Sequence, residues 1–268
     1  MKSEQDIVIE LKDLLVRSIE KNLPEEKFAI LFSGGVDSTL IAFVAKKLGK
    51  KFTCYTTALE EKGLKESEDL VYAEKIAKDL GFELKTIKLN LEEIESYLKE
   101  TITITGKDDV VTIGVGTTFV PACEQIKKDG LKVIFSGLGS EEIFAGYDRH
   151  DKAKDINEEC RAGLKNIQKR DLDRDEAIAK YYNLDIKTPF LNKELVDYAL
   201  DIPGEYKIKD DVKKFILRKA AMEIGLPEEY AMRKKRAAQY GSRIDNAILK
   251  LTKKRGFDYK KDYLRSLK

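Results

Sequence analysis

Residues 33–38 have the composition of a loop that binds an anion. They read Ser-Gly-Gly-Val-Asp-Ser and follow the apolar run at residues 28–32, a pattern typical of a buried parallel strand. Glycines let the backbone approach an anion closely, and a helix that begins here offers unpaired N–H groups. Ser33 and Ser38 could add hydroxyl donors, and Asp37 could hold a magnesium ion against phosphate groups. A simple helix-capping turn would use the same residue types, but the complete hexapeptide after an apolar strand favours nucleotide binding.

A second glycine-rich loop follows another apolar run. Residues 131–135 predict a buried strand, and residues 136–140 then read Ser-Gly-Leu-Gly-Ser, immediately before Glu141. In open parallel sheets, ligands bind beyond the carboxyl ends of the strands. Because both glycine-rich loops fall at such ends, both are candidates for contact with a ligand.

The elements that must position these loops alternate between helix and strand. The predicted strands lie at residues 28–32, 52–57, 82–89 and 131–135. The predicted helices lie at residues 6–22, 39–48, 66–80 and 91–100, and a fifth follows the glycine-bearing stretch 105–116 and ends at Gly130. This alternation implies right-handed crossovers, and therefore an α/β fold with a mostly parallel, doubly wound sheet.

The second half of the chain has a different pattern. Its strand signal fades, and residues 150–268 read as helices with breaks at Pro189, Pro203 and Pro227. Because we find no internal repeat and no low-complexity linker, we expect this half to pack onto the sheet. We predict an N-terminal helix within residues 1–26, an α/β core over 27–148, and a helical part over 149–268 that completes the same domain.

Composition argues against several kinds of chemistry. His150 is the only histidine, so a histidine-based zinc site or a Ser-His-Asp triad is not expected. Cys54, Cys123 and Cys160 are widely spaced and form no metal-binding pair, which fits a reducing cytoplasm. Cys54 and Cys123 lie in apolar segments and are expected to be buried and inert. No apolar run approaches the ~20 residues that span a bilayer, and no secretory signal is recognised, so a cytoplasmic protein without a membrane partner is expected.

The net charge of +2 conceals an uneven distribution. Residues 231–268 contain 13 Lys/Arg and 3 Asp/Glu, whereas residues 1–230 contain 37 Lys/Arg and 45 Asp/Glu. A basic end on an acidic body indicates a polyanion near the C-terminal part of the chain. Pyrophosphate and RNA both fit this description.

Five segments resemble the ATP pyrophosphatases that have an SGGxDS loop, and within them the synthetase domain of asparagine synthetases and β-lactam synthetases. The segments keep the family's order over residues 27–245. They are SGGVDS at 33–38, FSGLGSEEIFAGY at 135–147, DRDE and KTPFLN at 173–176 and 187–192, KFILR at 214–218, and RKKRAAQYGS at 233–242. The resemblance implies a fold like that of the adenine nucleotide alpha hydrolases, with ATP and Mg²⁺ as ligands.

The resemblance also implies which residues bind the nucleotide. The pyrophosphate loop would use Ser33, Gly34, Gly35, Asp37 and Ser38. Leu31 and Thr57 would flank the adenosine, with Ser136 and Gly137 at its edge.

The same resemblance implies a metal site and a cationic site. Asp37 and Glu141 would share the magnesium ion, and Lys214 and Lys235 would hold the departing pyrophosphate. Preorganised cations lower the barrier here because the leaving group gains charge in the transition state. Lys213 is adjacent to Lys214 and could take over its role.

Two features depart from the family pattern. Where asparagine synthetases have a Glu associated with forming the acyl-adenylate and handling the amine, this chain has Leu138, which cannot accept a proton. The glutaminase domain that normally precedes the synthetase domain is not recognised in this sequence. The nitrogen is therefore expected to come from free ammonia, from a separate amidotransferase subunit, or from an amine on the substrate.

The preferred interpretation is an ATP-dependent, AMP-forming ligase. A carboxylate or carbonyl oxygen of a small substrate, such as an amino acid, would be adenylated, and a nitrogen nucleophile would then displace AMP; asparagine formation is the default reaction. One alternative is a tRNA-modifying enzyme that adenylates a base and inserts sulfur or nitrogen, with tRNA bound through residues 231–268. The other is a nucleotide-binding regulator that does not catalyse.

Overall fold

A parallel sheet of short strands forms the centre of the fold. The structure is a computed structural model that describes residues 2–61, 66–234 and 237–268. Its strands are Phe28–Leu31 (β1), Phe52–Leu59 (β2), Leu84–Leu89 (β3), Val133–Phe135 (β4), Asp185–Lys187 (β5), Ile208–Lys209 (β6) and Val212–Lys213 (β7). The first five form one sheet in the order β3-β2-β1-β4-β5, and β6 and β7 form a separate antiparallel pair.

Helices account for most of the remaining described residues. The α-helices are Glu4–Glu20 (α1), Val36–Lys47 (α2), Glu68–Leu80 (α3), Leu91–Thr105 (α4), Val110–Lys128 (α5), Ser140–Ile143 (α6), Asp148–Asp151 (α7), Ile156–Ile167 (α8), Asp173–Tyr181 (α9), Lys193–Asp201 (α10), Gly204–Lys207 (α11), Phe215–Ile224 (α12), Glu228–Ala231 (α13), Ala238–Gly241 (α14), Ile244–Lys254 (α15) and Lys260–Arg265 (α16). Gln168–Leu172 form a π-helical turn before α9, and Pro189–Leu191 form a 3₁₀ helix. Across the three described ranges, no helix is both long and apolar enough to cross a bilayer.

The side chains of β1 alternate between two buried faces, as the period of a strand requires. Phe28 and Ile30 belong to a core that also contains residues of α1, α2 and α12. Ala29, which lies between them, belongs to a second core with residues of α5 and α9. Helices therefore cover both faces, and the predicted α/β, doubly wound parallel sheet with a helical C-terminal half is confirmed.

The strand order reverses at β1. From β1 the chain adds β2 and then β3 on one side, and it later adds β4 and β5 on the other. Leu31 of β1 pairs with Tyr55 of β2, and Ile30 of β1 pairs with Phe135 of β4. The crevice between the carboxyl ends of β1 and β4 is therefore the topological switch point, where open parallel sheets bind their ligands.

Strand β5 corrects the prediction that the second half of the chain contains only helices. Its three residues pair in parallel with β4, with Asp185 opposite Val133 and Lys187 opposite Phe135. The segment is short and charged at both ends, so local composition gave no strand signal, and pairing with β4 determines its conformation. The sheet thus uses residues on both sides of position 148, and the predicted division of the chain there stays a prediction.

Helix α5 begins earlier than expected, and it includes Gly114 and Gly116. The Asp109 side chain accepts from the Thr112 N–H at 2.9 Å and caps the helix. A Cβ added at Gly116 would lie 2.6 Å from Thr101 Cγ2 in α4. Close packing on α4 therefore requires glycine at position 116 within this helix, and the predicted loop at 105–116 is wrong over most of its length.

The three cysteines are buried, and none forms a disulfide. Burial raises the pKa of each thiol, which disfavours the reactive thiolate. The expected burial of Cys54 and Cys123 is confirmed.

His150 is a buried structural residue. It lies in α7, and its Nδ1 accepts from the Tyr147 N–H at 3.0 Å. Burial, with a smaller effect from the positive charge of Arg149, lowers the pKa of His150 to about 4. The imidazole is therefore neutral in the folded protein at physiological pH.

This neutral histidine predicts a loss of stability in acid. Because the pKa of His150 is about 4 in the folded state and ~6.5 in an unfolded chain, protons bind the unfolded state more readily between these values. The free energy of unfolding should therefore fall as the pH drops from about 6.5 to about 4. In urea titrations, His150→Asn should lose less stability than the wild type between about pH 7 and about pH 5. Equal losses in the two proteins would contradict this assignment.

Candidate functional site

Hydrogen bonds of the Ser38 side chain stabilise the loop after β1, residues 33–38. Asp37 and Ser38 lie in the first turn of α2. The Ser38 hydroxyl accepts from the Ser33 N–H at 3.3 Å and donates to the Gly35 carbonyl at 3.3 Å. Gly35 caps the helix without a side chain that could accept from the first N–H groups. These donors, at the positive end of the helix dipole, suit an anion.

The turn at Gly34 requires glycine for two reasons. Its φ of +64° lies in the left-handed region. An added Cβ would also lie 3.0 Å from Arg233 Nη1 and 3.2 Å from the backbone N of Ala73. The loop is thus packed between α3 and the C-terminal part of the chain.

The loop after β4 lies directly against the first loop. A Cβ added at Gly137 would be 2.8 Å from the Cβ of Asp37, so glycine permits this approach. The Ser136 N–H donates to the carbonyl of Lys187 in β5 at 2.9 Å, and the Ser136 hydroxyl accepts from the Leu138 N–H at 3.3 Å. The structure therefore brings together two loops that the sequence identified separately.

Lys214 joins these loops through its ammonium group. Nζ lies 2.8 Å from Asp37 Oδ2, 2.6 Å from Glu141 Oε1 and 3.1 Å from Ser140 Oγ. The residue is only 4% exposed, and its φ of 56° places it in the left-handed region at the start of α12. Burial lowers the pKa of Lys214, but the charges of Asp37 and Glu141 outweigh burial, and the net result is a raised pKa. Lys214 is therefore protonated at neutral pH.

Lys213 has a different environment from Lys214. Its ammonium contacts the carboxylates of Asp148 and Asp151 on α7, the latter at 3.2 Å. The geometry therefore favours Lys214, rather than Lys213, as the lysine of this crevice.

Asp37 and Glu141 are well placed to hold a magnesium ion. Each carboxylate contacts the Lys214 ammonium through one oxygen, so a magnesium ion would share the two carboxylates with that cation. Mg²⁺ is usually bound by one or two carboxylates together with substrate phosphates and water, and this donor set fits that pattern. In residues 2–61, 66–234 and 237–268, no group of three or more His, Cys, Asp or Glu could hold a metal, so phosphates and water would complete the coordination. The metal-binding role of both residues stays a prediction.

Leu31 and Thr57 lie on neighbouring strands near their carboxyl ends. Leu31 pairs with Tyr55, which is two residues before Thr57 in β2. The Thr57 hydroxyl is buried and has no hydrogen-bond partner in the described part of the chain. Contact of both residues with an adenosine is compatible with this placement and stays a prediction.

Lys235 lies outside the described residues, so its predicted contact with pyrophosphate stays a prediction. Arg233, two residues earlier, is described. Its Nη1 donates to the Ser33 carbonyl at 3.0 Å, and its Nη2 donates to Asp69 Oδ1 at 3.0 Å. The sequence placed Arg233 in a motif without a role, and it gave no signal for Asp69, which is distant along the chain.

A buried charge cluster, which the sequence did not predict, follows Glu141 in the chain. Glu142 is fully buried and accepts hydrogen bonds from the Tyr147 hydroxyl at 2.9 Å and from Arg170. Burial raises the pKa of Glu142, against the effects of Tyr147 and Arg170. Ion pairs extend the cluster through Asp171, Arg174 and Asp175. The alternating Arg and Asp at 170–175 was the available sequence signal.

Comparison with known proteins identifies related sequences over nearly the whole chain. A family model described as asparagine synthase matches residues 10–161 and 149–261. A Methanocaldococcus jannaschii protein, named as a putative glutamine-hydrolyzing asparagine synthetase, is 33% identical over an alignment of 295 positions that covers 94% of this chain and 53% of that protein. The glutamine-hydrolyzing asparagine synthetase of Gallus gallus is 30% identical over an alignment of 266 positions that covers 95% of this chain and 46% of that protein. The chain thus spans about half the length of these curated relatives.

A solved structure also resembles part of the fold. It is described as a predicted subunit of tRNA methyltransferase from Methanocaldococcus jannaschii, with a TM-score of 0.35 and 20% identity, and it covers 76% of this chain and 91% of that chain. A similarity this low supports no conclusion about this chain.

Gly146 provides a test of the crevice around Lys214. A Cβ at Gly146 would overlap Glu141 Oε2 and Lys214 Cε, so Gly146→Ala should displace the ion pair. We expect nucleotide-dependent turnover to fall roughly 100-fold, with the protein still folded.

Gly114→Ala is the matched control for this substitution. Its Cβ would lie 3.4 Å from Gln239 Cβ in α14, an ordinary van der Waals contact. Turnover and circular dichroism of both variants should be compared with the wild type. Full turnover by Gly146→Ala would show that this geometry does not matter for activity.

Proposed function

We propose that this chain, which belongs to the asparagine synthase family, is an ATP-dependent ligase that forms AMP and pyrophosphate. An oxygen of a carboxylate or carbonyl substrate attacks the α-phosphorus, and pyrophosphate leaves. A nitrogen nucleophile then displaces AMP and forms an amide or another C–N bond. The nitrogen comes from ammonia, from a separate amidotransferase subunit, or from an amine on the substrate.

The position of Lys214 between Asp37 and Glu141 is the observation that carries this proposal. It puts a buried cation, two carboxylates and the start of α2 at one crevice. A helix-capping turn alone needs neither the cation nor the second carboxylate. The combination suits a triphosphate whose β- and γ-phosphates leave together, because donors and a cation then face the group that gains charge.

Each part of the site has a defined task in this proposal. The N–H groups of residues 33–38 bind the pyrophosphate portion of ATP and orient the α-phosphorus for attack. Lys214 and Lys235 stabilise the charge that builds up on the leaving group. Mg²⁺ held by Asp37 and Glu141 would neutralise part of the phosphate charge.

The residues expected near the acceptor substrate differ in chemistry from those expected to bind the phosphates. Leu138 is partly buried beside Ser136, and its apolar side chain cannot take a proton from an attacking amine. Glu142 is fully buried and bound by Tyr147 and Arg170. We therefore propose that Leu138 marks an acceptor other than aspartate, and that the amine loses its proton to another group or to water.

The basic C-terminal stretch gives limited support to the tRNA alternative. Ion pairs already use five of its cations: Arg233 with Asp69, Arg255 with Glu95, Lys260 with Asp245, and both Arg265 and Lys268 with Asp108. The charge left for contact with RNA phosphates is therefore smaller than the sequence count implies.

The reaction products provide the direct test of the proposed function. With amino acids or other carboxylates and ammonia, the protein should convert ATP into AMP and pyrophosphate, measured by chromatography and by ATP–pyrophosphate exchange. Asp37→Ala should lower this activity by roughly 100-fold or more, because it removes a carboxylate of the crevice.

Asp148→Ala is the control, because Asp148 is an exposed acid that pairs with Lys213. It should keep normal activity. Formation of ADP would overturn the proposed cleavage position, and ATP binding without any product would favour the non-catalytic regulator.

Because residue 138 is a leucine, we predict that aspartate is a poor acceptor substrate. The unmodified protein should form little or no asparagine from aspartate and ammonia, because no carboxylate side chain is present at position 138 to assist the amine. Leu138→Glu should not restore this reaction unless the rest of the pocket already fits aspartate. Asparagine formation by the wild type with a kcat on the order of 1–10³ s⁻¹, measured by amino-acid analysis, would show that Leu138 does not limit this chemistry.

A further inference from the structure

We propose that Arg233 is a positioning residue that fixes the described residues 231–234 and 237–242 against the pyrophosphate loop, residues 33–38. Lys235 and Arg236, between these two stretches, lie outside the described residues. The catalytic part of this proposal rests on the proposed function, whereas the structural part can be tested without it.

The guanidinium of Arg233 is buried between the pyrophosphate loop and α3. It donates from Nη1 to the carbonyl of Ser33 at 3.0 Å and from Nη2 to Asp69 Oδ1 on α3 at 3.0 Å. Its side chain is 4% exposed, that of Asp69 is 5% exposed, and the guanidinium stacks 4.0 Å from the ring centre of Tyr72. Gly34 leaves the space that the guanidinium needs, since a Cβ there would lie 3.0 Å from Nη1. The contact therefore fixes the chain at 233 relative to the loop.

The start of this segment is held by α12. Arg218 donates from Nη1 to the carbonyl of Ala231 at 2.5 Å and to the carbonyl of Arg233 at 2.9 Å. Arg218 lies one turn after Lys214 on the same helix, and its N–H donates to the Lys214 carbonyl. The backbone at 231–233 is thereby connected to the helix that carries the central ammonium group.

The end of the segment is held by α3 and β2. The Ser67 hydroxyl donates to the Gly241 carbonyl at 2.7 Å, and the Leu59 N–H donates to the Ser242 carbonyl at 3.0 Å. A Cβ at Gly241 would overlap the carboxylate of Asp69, so glycine lets the segment pack directly on the partner of Arg233. Asp69 therefore contacts the segment at both of its ends.

This arrangement fixes the position of the pyrophosphate loop. The carbonyl that Arg233 binds belongs to Ser33, the first residue of that loop. A buried Arg–Asp pair defines one geometry, because separating the partners leaves uncompensated charges away from water. Small displacements of a group that stabilises a transition state reduce the rate strongly. Arg233 thus acts through the position of the loop, without a role in the chemistry itself.

The test uses variants that weaken this contact to different degrees. Arg233→Lys keeps the charge and removes the forked contact, Asp69→Asn removes the partner charge, and Tyr72→Leu removes the stacking alone. Tyr72→Leu also provides a mild variant if one of the others fails to fold. The control pair is Arg255→Lys and Glu95→Gln, which disrupts another forked Arg–carboxylate contact that joins α15 to α4.

Two readouts separate positioning from general stability. Hydrogen exchange should show loss of protection at residues 237–242 in Arg233→Lys and Asp69→Asn, a smaller loss in Tyr72→Leu, and none in the controls. Turnover of Arg233→Lys should fall about tenfold or more, while the affinity for α,β-methylene-ATP changes less than about threefold. The turnover of the double variant Arg233→Lys/Asp69→Asn should be no lower than that of the less active single variant, since both substitutions break the same contact.

Each alternative outcome overturns part of the proposal. Unchanged exchange protection in Arg233→Lys and Asp69→Asn would show that the pair does not hold the segment. Lost protection with normal turnover would show that the segment is held there for stability alone. If the wild type forms no AMP with any acceptor, the proposed function fails, and the exchange measurement still decides whether Arg233 holds the segment.

Discussion

The contact of one buried ammonium group with two carboxylates determines how the rest of the site is built. Lys214 Nζ reaches Asp37 at the start of α2 and Glu141 in α6, and Lys214 itself precedes α12. A buried lysine without acidic partners would tend to lose its proton. Asp37 and Glu141 therefore keep Lys214 charged, and the helical half of the chain is needed to complete a site that begins at the sheet.

The close approach of these charged groups requires glycine at neighbouring positions, because a Cβ there would collide with surrounding atoms. Gly137 lets the second loop contact Asp37, Gly146 leaves room for Glu141 and Lys214, and Gly139 packs where a Cβ would lie 2.5 Å from Leu191. At Gly137 and Gly146 the backbone φ is not in the left-handed region, so space, rather than conformation, is the reason for glycine. The glycines of the second loop thus serve packing as much as backbone freedom.

The sequence predicted the parts of the fold that depend on local patterns. Strands β1 to β4 and the first four helices carry apolar periodicity that any half-buried element must have. Strand β5 and the start of α5 were missed because their conformations come from partners elsewhere: β5 pairs with β4, and Gly116 packs against Thr101. Local composition cannot reveal either partner.

The same limit applies to the site. Motif order identified Asp37, Glu141 and Lys214, and the fold brings these three together. The partnership of Arg233 and Asp69 was not predictable, because the two residues are 164 positions apart and each looks like an ordinary surface charge of its segment. Only their common burial shows that they belong to one structure.

The separation of phosphate-side and acceptor-side residues explains how such a site could change substrate. Leu138 is fixed through its backbone N–H, which donates to the Ser136 hydroxyl, so its side chain takes no part in that hydrogen bond. The ammonium of Lys214 instead contacts Asp37, Ser140 and Glu141. A substitution at 138 therefore leaves both loops and the central ion pair in place. Under the proposed function, one arrangement would serve the splitting of the nucleotide while position 138 would select the acceptor, because the two tasks would depend on different atoms of the same short loop.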